Sequence, residues 1–324
     1  IKNKKFQLDS LSCSIFLKNL IKKNNKIIEK QDPIYFLKSV KNKVEIKNII
    51  KTHIYDGVAL TKFLFWVNNN FKRTKITEMG AQKKLLGFRK KNRTFKSLSF
   101  PTISGSGPNG AIIHYKANKK SNRTLKKGDL YLVDSGGQYK FGTTDVTRTI
   151  SLNNNEARIK DIFTRVLKCH ITVANYSLKK NTCGSEIDAK ARKSLQEFGL
   201  DYAHGTGHGV GYFLNVHEGP HAISKNNKIP LKEGMIVSNE PGYYENGNFG
   251  IRIENLVTVK KIQNAYKFEN LTLVPIDKSL IRKEILNESE IKWVNRYHTK
   301  VYNNLKKYMN KNELIQLKNF CSNI

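Results

Sequence analysis

The stretch that decides the fold is YLVDSGGQYKFGTTDVTRTI, residues 131–150. It opens with an apolar run that ends on Asp134, turns through a glycine-rich segment, and enters a second run that carries Asp145. The continuous apolar run from Leu130 to Val133 is typical of a strand buried on both faces, and the glycines allow the chain to reverse. The stretch therefore predicts two neighbouring strands that bring Asp134 and Asp145 together.

Two explanations of this acidic pair are open on these residues alone. A carboxylate at the inner end of an apolar strand is costly to desolvate unless something neutralises it, and a metal ion would do so. The alternative is that Asp134 caps a turn and Asp145 pairs with Arg148. The rest of the chain has to supply further ligands if the metal hypothesis is correct.

Composition indicates a globular protein with a reducing environment. The 324 residues suffice for one large domain and a smaller piece. No apolar run is long enough to span a membrane, and the opening residues lack the apolar core of a secretory signal. The cysteines are scattered without CxxC spacing, which argues against a zinc knuckle or a disulfide scaffold and favours the cytoplasm. They are Cys13, Cys169, Cys183 and Cys321.

The formal charge of +32 raises the question of an anionic partner, either nucleic acid or membrane. Lysine far outnumbers arginine and is spread through asparagine- and isoleucine-rich segments, without the aromatic interleaving typical of nucleic-acid binding. The pattern favours a solvated lysine coat, with neither a specific nucleic acid nor a membrane as partner.

Apolar periodicity predicts helices outside the glycine-rich segments. The predicted spans are Leu37 to Val67 as one helix or two in series around Gly57, Thr77 to about Lys91, Asn155 to Leu178, Ser185 to about Phe198, and Ser289 to Met309. A loop from Phe100 is expected to deliver a short strand that ends at His114.

The segment HGTGHGVGYFLNVHEGP, residues 204–220, concentrates histidine and glycine. The four-residue spacing of His204 and His208 would suit a zinc-protease helix, but the glycines make a helix implausible. We expect instead a cleft wall from which His204, His208 and His217 face a ligand. Six of the eight histidines lie between His114 and His221, and this clustering favours a functional role.

A second acidic hairpin follows. The strand Met235 to Glu240 ends on its carboxylate, as the first hairpin did, and the strand Ile251 to Val259 carries Glu254 between apolar neighbours. Turn residues separate the two runs. Two hairpins that each present two acids suggest two halves of one site with approximate internal symmetry.

Metal binding follows if Asp134, Asp145, His208, Glu240 and Glu254 converge. Four bare carboxylates would raise one another's pKa and destabilise the fold, whereas two divalent ions cancel their charge. Oxygen-rich coordination without thiolate favours Mn²⁺, with Mg²⁺, Co²⁺ or Zn²⁺ as alternatives. Two ions about 3.5–4 Å apart can hold a bridging hydroxide, which we expect to be the nucleophile.

Five long motifs carry a resemblance to a known family. They are FPTISGSGPNGAIIHY (100–115), VDSGGQYKFGTTDVTRT (133–149), HGTGHGVGYFLNVHEGP (204–220), NEPGYYENGNFGIRIEN (239–255) and LTLVP (271–275). With these motifs the chain resembles the Xaa-Pro aminopeptidases (aminopeptidase P) in their long eukaryotic cytosolic form, over about residues 33–324.

The resemblance implies an α+β pita-bread fold, with two pseudo-symmetric halves, a curved and mainly antiparallel sheet, and helices on the outer face. Residues 1–36 are then the remnant of a preceding N-terminal domain, 37–275 the catalytic domain, and 276–324 a C-terminal helical extension. Long-form relatives carry two further N-terminal domains that help shape the cleft entrance, and about 36 residues of the second are expected here. The resemblance therefore bears least directly on fine specificity, on the size limit of substrates and on the stability of this chain.

The resemblance also implies a role for each site residue. Asp134 would hold one Mn²⁺ ion, Asp145 and Glu254 would bridge both, and His208 and Glu240 would complete the site. Other implied roles are proton shuttling by Glu240, donation to the oxyanion by His217, contact with the proline side by His204, lining of the substrate cleft by His114, and orientation of ligand carboxylates by Arg252 and Tyr244.

The implied function is a metallo-exopeptidase that hydrolyses the N-terminal Xaa-Pro bond of peptides with proline at the second position, as a cytoplasmic homodimer. One alternative is an Xaa-Pro dipeptidase, which shares the fold and the ligands. Another is a non-catalytic pita-bread relative that binds histones or nucleic acid, but such relatives lose metal ligands and this chain keeps all five.

Overall fold

The computed structural model describes residues 1–153, 156–263 and 265–324. The helices are α1 (Ile15–Lys22), α2 (Pro33–Leu37), α3 (Lys43–Asn70), α4 (Glu78–Lys90), α5 (Ala157–Ala174), α6 (Gly184–Gln196), α7 (Glu288–Leu305) and α8 (Lys311–Phe320). The strands are β1 (Lys5–Leu8), β2 (Lys26–Glu29), β3 (Phe95–Leu98), β4 (Ile103–Ser106), β5 (Leu130–Ser135), β6 (Gly137–Tyr139), β7 (Gly142–Thr143), β8 (Val146–Ser151), β9 (Gly207–His208), β10 (Ala222–Ile223), β11 (Ile236–Asn239), β12 (Gly242–Glu245), β13 (Phe249–Arg252), β14 (Asn255–Ile262) and β15 (Ala265–Asn270).

The chain forms two similar halves. In the first, helices α3 and α4 precede the antiparallel sheet β4–β5–β8, and in the second, α5 and α6 precede the antiparallel sheet β11–β14–β15. The halves meet where the Glu254 amide donates to the carbonyl of Thr147 (3.2 Å) and the Arg252 amide donates to the Thr149 hydroxyl (3.0 Å). The predicted α+β architecture of two related halves is confirmed.

The opening hairpin forms as its sequence predicts. All six residues of β5 are buried, and its central position in the sheet sets Asp134 opposite Ile103 on one side and Thr147 on the other. Gly136 is required at the turn, because a Cβ there would lie 1.9 Å from the Thr144 carbonyl oxygen. The strand thus carries Asp134 into the interior while the turn returns Asp145 beside it.

Helix α3 is one continuous helix, and it begins later than predicted. Asn42 and Glu45 form a capping box at its start, so residues 38–42 lie outside it. Gly57 does not interrupt the helix; a Cβ there would lie 2.4 Å from the Leu273 carbonyl oxygen, so glycine permits close packing of the helix against the chain that follows β15.

The other helices agree with the predicted periodicity, with shifted boundaries. Thr77 caps α4 as expected, its hydroxyl accepting from the Gly80 amide at 3.1 Å. Cys183, and not Ser185, occupies the cap position of α6, where Glu186 closes a capping box. The predicted start of the next helix at Asn155 lies outside the described residues, and α5 begins at Ala157.

Two strand predictions are wrong. His114 does not end a strand: a 3₁₀ turn, Gly107–Ala111, precedes it, because the buried carboxylate of Glu78 draws in the Ser106 amide and the Asn109 side chain. The strand predicted from Ile251 to Val259 is broken into β13 and β14, and Glu254 lies in the break.

The two ends of the chain differ in packing. Helices α7 and α8 pack on the large core that also contains α5, with Trp293 and Val294 buried. At the other end, β1 and β2 pair in parallel and α1 buries none of its residues; Ile15 and Phe16 are 70% and 71% exposed. The assignment of residues 1–36 to a preceding domain stays a prediction. Over the described parts of the chain, no helix combines the length and apolar character needed to cross a membrane.

Candidate metal centre

Five predicted ligands converge between the two halves. Their ligand atoms form overlapping groups of three whose members all lie within 4.8 Å of one another. The groups are Asp134, Asp145 and Glu254; His208, Glu240 and Glu254; and Asp145, His208 and His217. The third group adds His217, which the sequence had suggested only as a substrate-facing residue.

Strand ends bring the ligands together. Asp134 is the fifth residue of β5, Asp145 directly precedes β8, and Glu240 directly follows β11. Glu254 occupies the break between β13 and β14, and His208 ends the two-residue strand β9. Each half of the molecule therefore presents two acids at the same junction, as the two-hairpin hypothesis predicts.

The carboxylates are under electrostatic strain. Burial, reinforced by the charges of Asp134 and Glu240, raises the pKa of Asp145 well above its ordinary value. Burial and the charges of Asp145, Glu240 and Asp134 do the same to the pKa of Glu254. Such a cluster fits bound cations, because positive charge at its centre would relieve both the desolvation and the repulsion.

His208 is oriented to offer one ring nitrogen to a cation. Its Nδ1 lies 2.9 Å from the Gly209 carbonyl, which can only accept, so Nδ1 carries the proton. Nε2 then faces the acceptors Asp145 Oδ2 at 3.4 Å and Glu240 Oε1 at 3.3 Å. A backbone carbonyl that fixes the ring of a metal-binding histidine is the usual arrangement around such sites.

Asp134 is held from one side only. Arg252 Nη2 donates to Asp134 Oδ2 at 2.7 Å, whereas the buried Oδ1 has no hydrogen-bond partner among the described residues. Although burial opposes its charge, Arg252 has a pKa held well above its ordinary value by Tyr244, Asp134 and Glu240. Arg252 also donates to the Tyr244 hydroxyl at 2.6 Å. A buried acceptor without a donor fits a cation at that oxygen.

Sequence reasoning missed two hydroxyls that orient ligands. Thr147 donates to Glu254 Oε2 at 2.7 Å, and Ser238 donates to Glu240 Oε1 at 2.9 Å. Each lies two residues from a ligand, Thr147 after Asp145 and Ser238 before Glu240. The period of two along a strand, which places such neighbours on one face, was the signal that could have found them.

The turn-cap alternative for the first hairpin is wrong. Arg148 does not pair with Asp145; its buried guanidinium donates instead to backbone carbonyls, to Asn255 Oδ1 and to the Tyr297 hydroxyl. Asp134 lies within β5 and caps no turn. Alternation along β8 explains the result, because Arg148 points to the face opposite Thr147.

The acids lie in a cleft of about 1030 Å³. His114, His204 and His217 line it, together with apolar side chains that include Phe100, Pro101, Phe213 and Leu214. The ring of His217 lies 3.9 Å from that of His208, centroid to centroid. Burial lowers the pKa of His217, and the neighbouring His208 lowers it further.

Both ring nitrogens of His204 have partners within the protein. Nδ1 lies 2.8 Å from the Gly205 carbonyl, and Nε2 lies 2.9 Å from the Tyr244 hydroxyl. Since the carbonyl can only accept, Nδ1 donates, and burial lowers the pKa of the ring, which leaves Nε2 to accept from Tyr244. His204, Tyr244, Arg252 and Asp134 thus form one hydrogen-bonded chain from the cleft wall to the acids.

Models of known protein families match the part of the chain that contains the five converging residues. The model of metallopeptidase family M24 matches residues 47–261, a span that contains all five converging ligands, and the model of the C-terminal region of peptidase M24 matches residues 264–324. The chain belongs to metallopeptidase family M24. The predicted pita-bread fold and the family resemblance are both confirmed by this match and by the structural likeness below.

Several curated relatives are named as Xaa-Pro aminopeptidases or probable Xaa-Pro aminopeptidases. The chain is 46% identical over 302 residues to a probable Xaa-Pro aminopeptidase P of Laccaria bicolor, covering 90% of this chain and 47% of that protein. It is 45% identical over 311 residues to Xaa-Pro aminopeptidase 1 of Dictyostelium discoideum, covering 92% and 49%.

A solved M24 structure shares the fold. The X-prolyl aminopeptidase of Caenorhabditis elegans, described as a cytosolic enzyme with a di-nuclear active site, superposes with a TM-score of 0.88 at 35% identity. The match covers 93% of this chain and 51% of that one. The chain therefore spans about half the length of these M24 relatives.

Proposed function

We propose that this chain is a metal-dependent aminopeptidase that removes the first residue of peptides whose second residue is proline. The observation that supports it is the convergence of four carboxylates and His208 on the wall of a cleft large enough for a short peptide. The M24 family match and the named activities of relatives at about 45% identity point to the same chemistry.

The five converging residues are proposed to hold two divalent ions. Asp145 and Glu254 each belong to the group that contains Asp134 and to a group that contains His208. They are therefore the candidates to bridge, with Asp134 at one end and His208 and Glu240 at the other. When bound, two such ions would balance the four carboxylate charges, polarise the scissile carbonyl and lower the pKa of an attacking water. The oxygen-rich ligand set makes Mn²⁺ the proposed metal.

Glu240 is proposed to move the proton. Burial alone would raise the pKa of Glu240, but His208, His204 and Arg252 hold it below its ordinary value, so the carboxylate is ionised at neutral pH. It can then accept a proton from the attacking water and deliver it to the proline nitrogen when the C–N bond breaks. Ser238, which donates to Oε1, fixes its orientation during this transfer.

The cleft histidines are proposed to handle the substrate. His217 stands beside His208 on the cleft wall, where its ring can donate to the oxygen that gains negative charge in the transition state. His204 already has both nitrogens engaged, so we assign it to packing against the proline-side residue and to holding Tyr244. His114, exposed in a turn, completes the wall.

Proline explains why a dedicated cleft is useful. The bond before proline is a tertiary amide without an N–H, and the ring fixes the backbone angle, so a site that grips extended strands binds it poorly. The free amino terminus of the substrate would lie near one ion and the carboxylates around it, which restricts attack to the first peptide bond.

The test compares a tripeptide with a dipeptide. The chain is loaded with Mn²⁺, incubated with Arg-Pro-Pro or Arg-Pro, and the products are identified by mass spectrometry. We expect release of Arg and Pro-Pro, and loss of the reaction on chelation. Cleavage of Arg-Pro alone would replace the proposal with an Xaa-Pro dipeptidase, and cleavage of neither by the metal-loaded chain would contradict it.

The remaining expectations also stay proposals. A cytoplasmic location agrees with the four free cysteines and with the cytosolic C. elegans relative. A homodimer through the C-terminal helices would be tested by sedimentation velocity. The non-catalytic alternative lacks support, because the five ligand positions are filled.

A further inference from the structure

A buried ion pair connects the start of the chain to the loop that carries His217. Glu218 directly follows His217, and its carboxylate is buried. Oε1 lies 3.1 Å from Lys41 Nζ, and Oε2 lies 3.2 Å from Lys38 Nζ. The Lys41 side chain is fully enclosed, with 0% of its surface exposed. Both lysines precede residue 47, where the M24 match begins.

Further contacts hold the same loop and the segment that carries Lys41. The Glu218 amide donates to the Gly209 carbonyl at 2.8 Å, next to the ligand His208. The ring of Tyr35 packs against Gly219 so closely that a Cβ there would lie 2.1 Å from its hydroxyl oxygen. The Lys41 amide donates to the Gly234 carbonyl at 3.0 Å, which anchors its segment to the second half of the fold.

The burial of this pair needs a reason other than stability. Burial lowers the pKa of Lys41, although Glu218 opposes the shift, which shows that desolvation is costly here. Buried ion pairs are often no more stable than apolar residues of similar volume, yet loss of one partner alone is strongly destabilising. What such a pair does supply is a fixed geometry between two segments, because each charge has few other positions available.

We propose that Glu218 and Lys41 are positioning residues, which hold the loop of residues 211–219 so that His217 stands against His208 in the cleft. The segment from Tyr35 to Lys41 then helps to position the residues of the site, although it lies outside the M24 match. The activity arm of the test rests on the proposed function.

The first arm measures steady-state kinetics of Glu218→Gln and Lys41→Met on Arg-Pro-Pro. A small displacement of a group that acts in the transition state lowers turnover more than binding, so we expect kcat to fall about 10- to 100-fold with KM changed less than about threefold. Lys168→Met is the control, since Lys168 pairs with Glu290 at 2.8 Å away from this loop. Single variants with kcat within about twofold of the parent would overturn the proposal.

The second arm separates positioning from stability. The double variant Lys41→Met/Glu218→Leu replaces the pair with apolar side chains, which should recover much of the Tm lost by either single variant. We expect kcat to remain low, because apolar packing does not fix the loop. Recovery of both Tm and kcat would overturn the proposal.

The third arm does not depend on activity. Hydrogen exchange, followed by mass spectrometry on the metal-free chain, reports the protection of peptides covering residues 209–219. We expect exchange there to accelerate about tenfold or more in Glu218→Gln, with little change in α5. Unchanged exchange would overturn the positioning role. Accelerated exchange in a chain that cleaves no Xaa-Pro peptide would retain it and reject only the proposed function.

Discussion

Asp145 and Glu254 repel each other in a buried site that favours their neutral forms. Asp145→Asn removes one of the charges, so the metal-free variant should melt at a higher temperature than the metal-free parent. The same change removes a proposed bridging ligand, so Mn²⁺ should raise the melting temperature less than it does in the parent.

For the parent, metal at a hundred times its Kd should add about 2.7 kcal/mol to the free energy of unfolding for each ion bound. Thermal melts of both proteins with and without Mn²⁺ test whether the substitution raises the melting temperature of the metal-free chain and reduces the effect of the metal. A metal-free variant less stable than the parent would show that the charge of Asp145 is already compensated within the protein.

Glu240 is proposed both to hold an ion and to move the proton, so its variant is compared with the parent at equal metal content. Glu240→Gln keeps the shape and the hydrogen bond from Ser238 but cannot carry the proton, so kcat on Arg-Pro-Pro should fall about 10²- to 10⁴-fold with the Tm retained. Glu245→Gln is the matched control, since Glu245 lies on the adjacent hairpin and pairs with Arg158 at the surface. Equal kcat values for the two variants would remove Glu240 from the proton path.

At the scale of elements, Arg148 joins the two sheets to the C-terminal region. It donates to the carbonyls of Glu254 (2.6 Å), Val274 (2.7 Å) and Pro275 (3.0 Å) and to the hydroxyl of Tyr297 in α7 (2.8 Å). The LTLVP segment is therefore held by its backbone, which gives that motif a structural purpose.

Arg148→Met should destabilise the fold by about 3 kcal/mol or more, because it strands several buried acceptors at once. Urea unfolding measures the change. Arg282→Met serves as control, because Arg282 pairs with Glu284 on the surface and should change stability by less than about 0.5 kcal/mol. A similar, small effect of both substitutions would mean that water replaces the guanidinium of Arg148.

The elements also show how far sequence reasoning reaches. The hairpin with Asp134 and the amphipathic face of α5 depend on local periodicity, and both form as predicted. The prediction of a strand that ends at His114 was wrong because Glu78, which is distant in the sequence, forms hydrogen bonds that fold this segment into a turn. The sequence could not decide whether Gly57 interrupts the helix, because only the folded chain brings Leu273 against it.

The convergence of the acids could be predicted because Asp134 and Glu240 end apolar strands and Glu254 interrupts another. The glycine-rich turn then indicates that Asp145 returns beside Asp134. The supporting contacts could not be predicted, since they join residues far apart. Lys41 and Glu218 are 177 positions apart, and nothing near either one indicates the other.

At the scale of the whole molecule, buried neutral histidines should make the fold sensitive to acid. His298 accepts from the Ile276 amide at 3.1 Å, and burial together with Lys278 and Arg148 lowers its pKa to about 3. Because the pKa is lower in the folded state than in the unfolded state, the stability linked to this group is present above about pH 6.5 and is lost as pH falls toward the folded value.

His298→Gln can keep an acceptor at this position without titrating. Between pH 7 and pH 5 the free energy of unfolding should therefore fall by about 2 kcal/mol less in the variant than in the parent. Urea unfolding at each pH measures the difference. An identical pH dependence in both proteins would show that His298 contributes nothing to acid sensitivity.

Metal stoichiometry tests the central claim most directly. The purified chain is stripped with chelator and titrated with Mn²⁺ by calorimetry, and bound metal is counted by mass spectrometry after desalting. A two-metal centre built from these four carboxylates and His208 predicts two Mn²⁺ ions per chain, and fewer than two in Asp145→Asn. One ion or none in the parent, or two ions that persist in Asp145→Asn, would contradict it.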